Sequence, residues 1–202
     1  IEDPSSFGVV KLNNKNIITD FIEKPVEFVS NLAIIGVYYF KDGNFLKNEL
    51  QYLLDNEIKE KGEYQLTNAL ENMKQKGALF ATGKVKEWLD CGNKDATVFS
   101  NKKVLENTGS FISKSAIVEN SEIKDPCYIG KNTIIKNSTI GPGVSVGDHT
   151  IINNTTISDS IVQNNTNINE AILKNSMIGN SVFFNGKKCL QEVSIGDFSE
   201  VK

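Results

Sequence analysis

Thr133-Ile134-Ile135-Lys136-Asn137-Ser138-Thr139-Ile140-Gly141-Pro142-Gly143-Val144-Ser145-Val146-Gly147-Asp148-His149-Thr150-Ile151-Ile152 carries aliphatic anchors at Ile135, Ile140, Val146 and Ile152, five or six residues apart. The spacing continues outward on both sides: Ile117, Ile123 and Ile129 before the stretch, and Ile157, Val162, Ile168, Leu173 and Ile178 after it. Two positions before nearly every anchor stands a small residue: Ser115, Ser121, Cys127, Thr133, Ser138, Thr150, Thr155, Ser160, Thr166, Ala171 and Ser176, with Val144 alone larger. Neither a 3.6-residue nor a two-residue period can run through such a series. A hexad supplies one short strand and one corner, too little to bury its own apolar residue, so successive coils must stack and line their anchors into an interior column. Glycine and asparagine suit the corners, as at Gly141-Pro142-Gly143 and Asn153-Asn154. Asparagines can also form hydrogen-bonded ladders between coils.

This repeat resembles the hexapeptide-repeat family, in which three hexads make one triangular left-handed coil. The resemblance implies an all-β, single-stranded, left-handed parallel β-helix over residues 107–202. Residues 117–178 are expected to give roughly three to four coils, and Val193-Ser194-Ile195-Gly196-Asp197-Phe198-Ser199-Glu200-Val201 a closing segment.

Bulk properties narrow the function classes. The chain has 202 residues, a formal net charge of −3 and no arginine. Nucleic-acid binders need a basic stripe and favour arginine as base reader, so nucleic acid is not an expected partner. No run of eighteen apolar residues is present, and none is expected to cross a membrane. Ile1-Glu2-Asp3-Pro4 lacks the basic and apolar regions of a signal peptide. The chain begins without methionine inside an apparent strand, which reads as a fragment or processed product. Cys91, Cys127 and Cys189 form no CxxC pair, arguing against a disulfide framework and for a reducing cytoplasm. Asn-x-Ser/Thr triplets such as Asn137-Ser138-Thr139 read as chance products of an asparagine-rich chain.

Residues 1–106 have a different texture. Phe7–Leu12 and Ile17–Ile22 read as strands around the turn Asn13-Asn14-Lys15-Asn16. Ala33–Phe40 is a continuous apolar run, expected as a strand covered on both faces. Leu46, Leu50, Leu53, Leu54 and Ile58 follow helical spacing, with Gly62 placed as a stop. Thr67 can cap a second helix through Leu70 and Met73, closed by Gly77. Ala78–Thr82 reads as a further strand and Asp95–Glu106 as a helical linker. Alternating strands and helices predict an α/β layer.

Asp3-Pro4-Ser5-Ser6-Phe7-Gly8-Val9, Phe21-Ile22-Glu23-Lys24-Pro25, Ser30-Asn31-Leu32-Ala33-Ile34-Ile35-Gly36-Val37-Tyr38, Gly62-Glu63-Tyr64-Gln65-Leu66-Thr67 and Trp88-Leu89-Asp90-Cys91-Gly92-Asn93-Lys94 occur in this order. As an ordered set they resemble the sugar-1-phosphate nucleotidyltransferases of the glucose-1-phosphate thymidylyl and uridylyl types. The resemblance covers residues 1 to about 106. It implies the C-terminal, sugar-phosphate half of a Rossmann-like catalytic domain.

The resemblance also implies roles. Lys24 would meet the sugar phosphate with a compact positive charge, and Glu23 would accept hydrogen bonds from sugar hydroxyls. Taken alone, Glu23-Lys24-Pro25 reads as an exposed charge pair ending a strand; the ordered set of motifs favours the sugar-site reading. Asp90 would hold Mg²⁺ together with phosphate oxygens and a second aspartate, or would simply form a turn before Gly92. Gly36 would allow close backbone approach to the ligand, or mark a strand bulge. Tyr38 and Trp88 would shape the sugar pocket or pack in the core. Asn68 stands where the family commonly has aspartate, which puts any charge-dependent role of that position in doubt.

The implied activity is transfer of a nucleotidyl group from dTTP or UTP to a sugar-1-phosphate, taken as glucose-1-phosphate, with release of pyrophosphate. The family's glycine-rich loop with its arginine and lysine and the first metal-binding aspartate have no match in residues 1–202. The chain by itself is therefore expected to be inactive. Two other readings stay open. One is a hexapeptide-repeat acyltransferase, with the single histidine His149 as base. The other is a non-catalytic sugar-phosphate-binding or assembly protein. A homo-oligomer formed through the β-helix is expected under every reading.

Overall fold

In the computed structural model, which describes residues 1–60 and 62–202, the second half is built by parallel pairing from coil to coil. One ladder joins Ile117–Glu119, Ile134–Lys136, Ile151–Asn153, Asn167–Asn169, Phe183–Asn185 and Glu200–Val201. A second ladder passes through Thr156–Val162 and Ile172–Ile178, strands long enough to turn a corner and serve two faces. The result is a parallel β-solenoid of about five turns, the coils expected over residues 117–178 being extended at both ends. The extension comes from flanking segments such as Phe111–Ile112 and Ser194–Ile195, the latter in the expected closing segment, which pair into the same ladders.

Ile135, Ile140, Ile152, Ile157 and Ile168 are completely buried, with Leu173 and Ile178 close behind, so the anchors form the interior column. Ile117 does not belong to it. It pairs with Ile134 and faces outward, while Val118 aligns with Ile135. The one-residue slip follows from the strict alternation of a strand. Accordingly Ala116, not Ser115, fills the place before that anchor and packs on the core.

The small residues before the anchors are mostly hydroxyls for a reason beyond size. The Ser138 hydroxyl oxygen accepts the N–H of Thr155 at 3.1 Å, and the Thr155 oxygen accepts the N–H of Ala171 at 3.3 Å. A parallel series runs from Ser160 to the N–H of Ser176 and from Ser176 to the N–H of Val193, both at 3.0 Å. Each hydroxyl also donates backward, as Thr155 does to the Asn153 carbonyl at 2.7 Å. The residue just before the hydroxyl turns the corner with positive φ: Asn132, Asn137, Asn154, Asn165 and Asn175 adopt φ of 49° to 57°. Asparagine tolerates this left-handed region better than most residues. The asparagine ladder is present between Asn153 and Asn169, whose amide and carbonyl meet at 3.2 Å. Gly141 marks the tightest approach: its φ is +102°, and a Cβ there would lie 1.9 Å from the Lys124 carbonyl oxygen.

The chain separates into two compact units, Ile1–Trp88 and Leu89–Lys202. This places α3, Lys94–Thr108, with the solenoid and not in a linker before residue 107. Its buried residues Val98 and Leu105 are the physical cause, since they need an apolar surface to cover them.

In the first unit, β1 (Gly8–Leu12) and β2 (Ile18–Glu23) pair antiparallel with Gly8 opposite Glu23. Single bridges flank the hairpin, Val9 to Ala33 on one side and Ile17 to Ala81 on the other. The strands expected over Ala33–Phe40 and Ala78–Thr82 are reduced to these bridges. Val37 and Tyr39 are 81% and 87% exposed, so the run is not covered on both faces. Helix α1 spans Gly43–Asp55 and is capped by Asp42, whose carboxylate accepts the N–H groups of Asn44 and Phe45. It ends at Asn56, earlier than the stop expected at Gly62. Helix α2 spans Leu66–Gln75; its N-cap is Gln65, so Thr67 lies inside the first turn instead of capping it. Leu53, Leu70 and Met73 are buried in this unit, and Glu49, nearly buried, accepts both Lys76 contacts at 2.6 and 2.7 Å. No helix among the described residues is long and apolar enough to cross a membrane.

Thr155→Val keeps the side-chain shape but leaves the buried Ala171 N–H without its acceptor. The expected cost is about 1–3 kcal/mol by chemical denaturation. Ile157→Ala should cost about 2–5 kcal/mol. A Thr155→Val loss indistinguishable from zero would mean that the hydroxyls are merely small.

Candidate functional site

The end of β2, the start of β1 and the first turn of α2 converge because of the hairpin register. Gly8 stands opposite Glu23, and the Thr67 hydroxyl donates to Glu23 Oε2 at 3.2 Å. Thr67 is buried, at 5% exposure. A Cβ on Gly8 would approach Glu23 Oε2 to 2.9 Å and Thr67 Cγ2 to 3.2 Å, so a larger residue there would push the carboxylate aside. Around these residues lies a cleft of about 210 Å³, completed by Ile34, Gly36, Tyr38 and the Gln65-Leu66 pair.

Tyr38 contributes a phenol whose pKa is held above its ordinary value, chiefly by burial and further by the negative charge of Glu23. A phenol is protonated at neutral pH and the shift only strengthens this, so the hydroxyl can donate while Glu23 accepts. The ring stacks against Phe40, with centroids 6.1 Å apart. Gly36 has φ +80° and open space where a Cβ would go. The positive φ favours glycine at this position.

Of the residues singled out in the sequence, Glu23, Gly36 and Tyr38 come together in the cleft. Lys24 follows Glu23 at an exposed turn with φ 41°, outside the residues that line the cleft; its N–H donates to the Phe7 carbonyl at 3.0 Å. Trp88 packs edge-to-face on Phe7, with centroids 5.4 Å apart, a packing role. Two site residues were not assigned from sequence. Thr67 looked like a helix cap and Gly8 was read only as part of a strand; the hairpin register reveals Gly8 and the placement of α2 reveals Thr67.

Asp90 belongs to the second unit. Its Oδ1 accepts the Gly92 N–H at 3.1 Å, and its peptide carbonyl accepts the Ser100 hydroxyl at 2.7 Å. Among the described residues, no group of three or more His, Cys, Asp or Glu side chains is arranged to hold a metal. A single carboxylate still fits Mg²⁺, which takes one or two carboxylates and fills its octahedron with phosphate oxygens and water. His149 is exposed at a solenoid corner with φ 56°, the place held by asparagine in neighbouring coils.

Residues 1–107 match the family model described as "Nucleotidyl transferase". The chain is 31% identical over 108 residues to a low-salt glycan biosynthesis nucleotidyltransferase of Haloferax volcanii, covering 53% of this chain and 29% of that protein. It is 30% identical over 108 residues to a glucose-1-phosphate thymidylyltransferase of Streptomyces antibioticus, covering 53% and 29%. To a bifunctional sugar-1-phosphate nucleotidylyltransferase/acetyltransferase of Sulfurisphaera tokodaii it is 29% identical over 124 residues, covering 61% and 30%. The aligned regions thus span less than a third of the length of these relatives. With more than half of its length matched by the family model, and with the paired strands and α2 carrying the motifs in order, the chain belongs to the nucleotidyl transferase family.

Proposed function

We propose that the first unit binds the sugar-1-phosphate acceptor of a nucleotidyl transfer, with glucose-1-phosphate as the substrate and dTTP or UTP as the donor. The observation that carries this reading is the Gly8–Glu23–Thr67–Tyr38 cleft, which sets a carboxylate acceptor beside a protonated phenol donor. A hexose presents neighbouring hydroxyls that both donate and accept, and such a pair reads them. Lys24 neutralises charge on the sugar phosphate, whose oxygen attacks the α-phosphorus of the nucleoside triphosphate while pyrophosphate leaves on the opposite side. Catalysis of this kind rests on positioning and charge neutralisation. Bound Mg²⁺, held by Asp90 and phosphate oxygens, would neutralise charge on the triphosphate.

Residues 1–202 contain no glycine-rich loop followed by arginine and lysine. The 202-residue chain therefore binds the acceptor without turning over nucleotide. Self-association through the solenoid is supported by its first coil, where Ile112, Ile117 and Val118 are 46%, 47% and 37% exposed.

Titration calorimetry with glucose-1-phosphate tests the reading. Binding should weaken about 10-fold or more in Glu23→Gln, the worth of a hydrogen bond to a charged group. Unchanged affinity in Glu23→Gln, or steady pyrophosphate release by the chain with dTTP or UTP, would overturn it. A second check follows the Tyr38 phenol by ultraviolet titration. Its midpoint should lie above that of free tyrosine and move down in Glu23→Gln, while staying raised because burial is the larger cause. A midpoint unmoved by Glu23→Gln would separate the two groups.

A further inference from the structure

The loop that carries Asp90 is fastened to a helix that the solenoid holds. Ser100, in the second turn of α3 and 5% exposed, donates its hydroxyl to the Asp90 carbonyl at 2.7 Å. One turn earlier, the Thr97 hydroxyl bonds the Asn93 carbonyl at 2.8 Å and the Cys91 carbonyl at 3.2 Å. Asn93 closes the loop by capping the helix, its side-chain oxygen accepting the Ala96 N–H at 2.9 Å. The Asp90, Cys91 and Asn93 carbonyls are thus held by the Ser100 and Thr97 hydroxyls of one helix face.

That helix is in turn pinned at several points along its length. Lys94 donates to the Asn175 carbonyl at 2.9 Å and pairs with Glu192. The Asn101 amide reaches the Gly143 carbonyl at 3.3 Å, and its oxygen accepts the Ser145 hydroxyl at 2.6 Å. Lys102 meets Asp159 Oδ1 at 2.8 Å. Exposed ion pairs of this kind are individually weak. Here they act together with buried Val98 and Leu105, against a ladder that cannot shift one strand without shifting its neighbours.

We propose that the solenoid is the mount of the Asp90 loop, with α3 as its arm and Ser100 as the positioning residue. This rests on the reading of Asp90 as a metal ligand; the hold on the loop itself does not. A ligand carboxylate works only if its backbone is fixed to within about 0.5 Å, and the Ser100 hydroxyl holds the Asp90 carbonyl. The solenoid then has a part in the reaction's geometry besides any part in assembly.

The test is backbone ¹⁵N relaxation on the 202-residue chain. The amides of Asp90 to Gly92 should show order parameters near about 0.85, falling below about 0.6 in Ser100→Ala, with the solenoid unchanged. Ser100→Thr, which keeps the hydroxyl, should restore them. Asp159→Asn should loosen the same amides from a distance; asparagine accepts the φ of 40° at that position, so the substitution removes charge without forcing the corner. A rigid loop in both Ser100→Ala and Asp159→Asn would overturn the proposal, as would a loss that threonine does not rescue. Mn²⁺ added alone should broaden the amides beside Asp90. A loop that stays rigid and unbroadened would remove the metal reading and leave the mount intact.

Discussion

A serine or threonine hydroxyl accepting an N–H from the next coil recurs along the solenoid, and it solves the problem that the repeat creates. Each corner exposes backbone donors to an interior filled with isoleucine, where an unpaired N–H costs about 1–3 kcal/mol. Water cannot enter that column. The Ser138, Thr155, Ser160 and Ser176 oxygens supply the acceptors instead, at 3.0 to 3.3 Å. Stacking at that spacing brings backbones close enough that Gly141 has no room for a side chain. Helix α3 lies against coils of the same ladder, through Gly143, Ser145 and Asp159.

The candidate acceptor cleft depends on a comparable economy of parts. One hairpin register sets Gly8 opposite Glu23, and one helix start brings Thr67 onto the carboxylate. The resulting group is an acceptor next to a phenol whose pKa is raised above its ordinary value. Asp90 has a different support, the helix and solenoid of the second unit. The cleft and the Asp90 loop are thus separately built.

Much of this was legible in the sequence because the relevant periods are local. Anchors five or six residues apart admit few structures besides a solenoid, and the hydroxyls two places earlier are visible by eye. Ile117 misled because both it and Val118 are aliphatic, so period alone could not choose the inward one; pairing with Ile134 decides it. Ala33–Phe40 misled in another way. Its apolar run suits a buried strand, yet only Ala33 finds a bridge and Tyr39 stands in the open. Helix α3 looked like a linker because its apolar face is sparse, and its polar contacts to Gly143, Asp159 and Glu192 come from residues 42 to 98 positions away. Thr67 satisfied the rule for a cap and was used for Glu23, a choice that only the tertiary fold reveals.

The central claim is that a nucleotidyl transferase chain keeps its sugar-phosphate cleft on the Glu23 hairpin. Amide shift mapping with glucose-1-phosphate addresses it most directly. The account expects the changes to centre on Gly8, Glu23, Gly36 and Gln65 to Thr67, with the solenoid corners silent. Changes centred on the corner at His149, or none at the hairpin under saturating ligand, would contradict it.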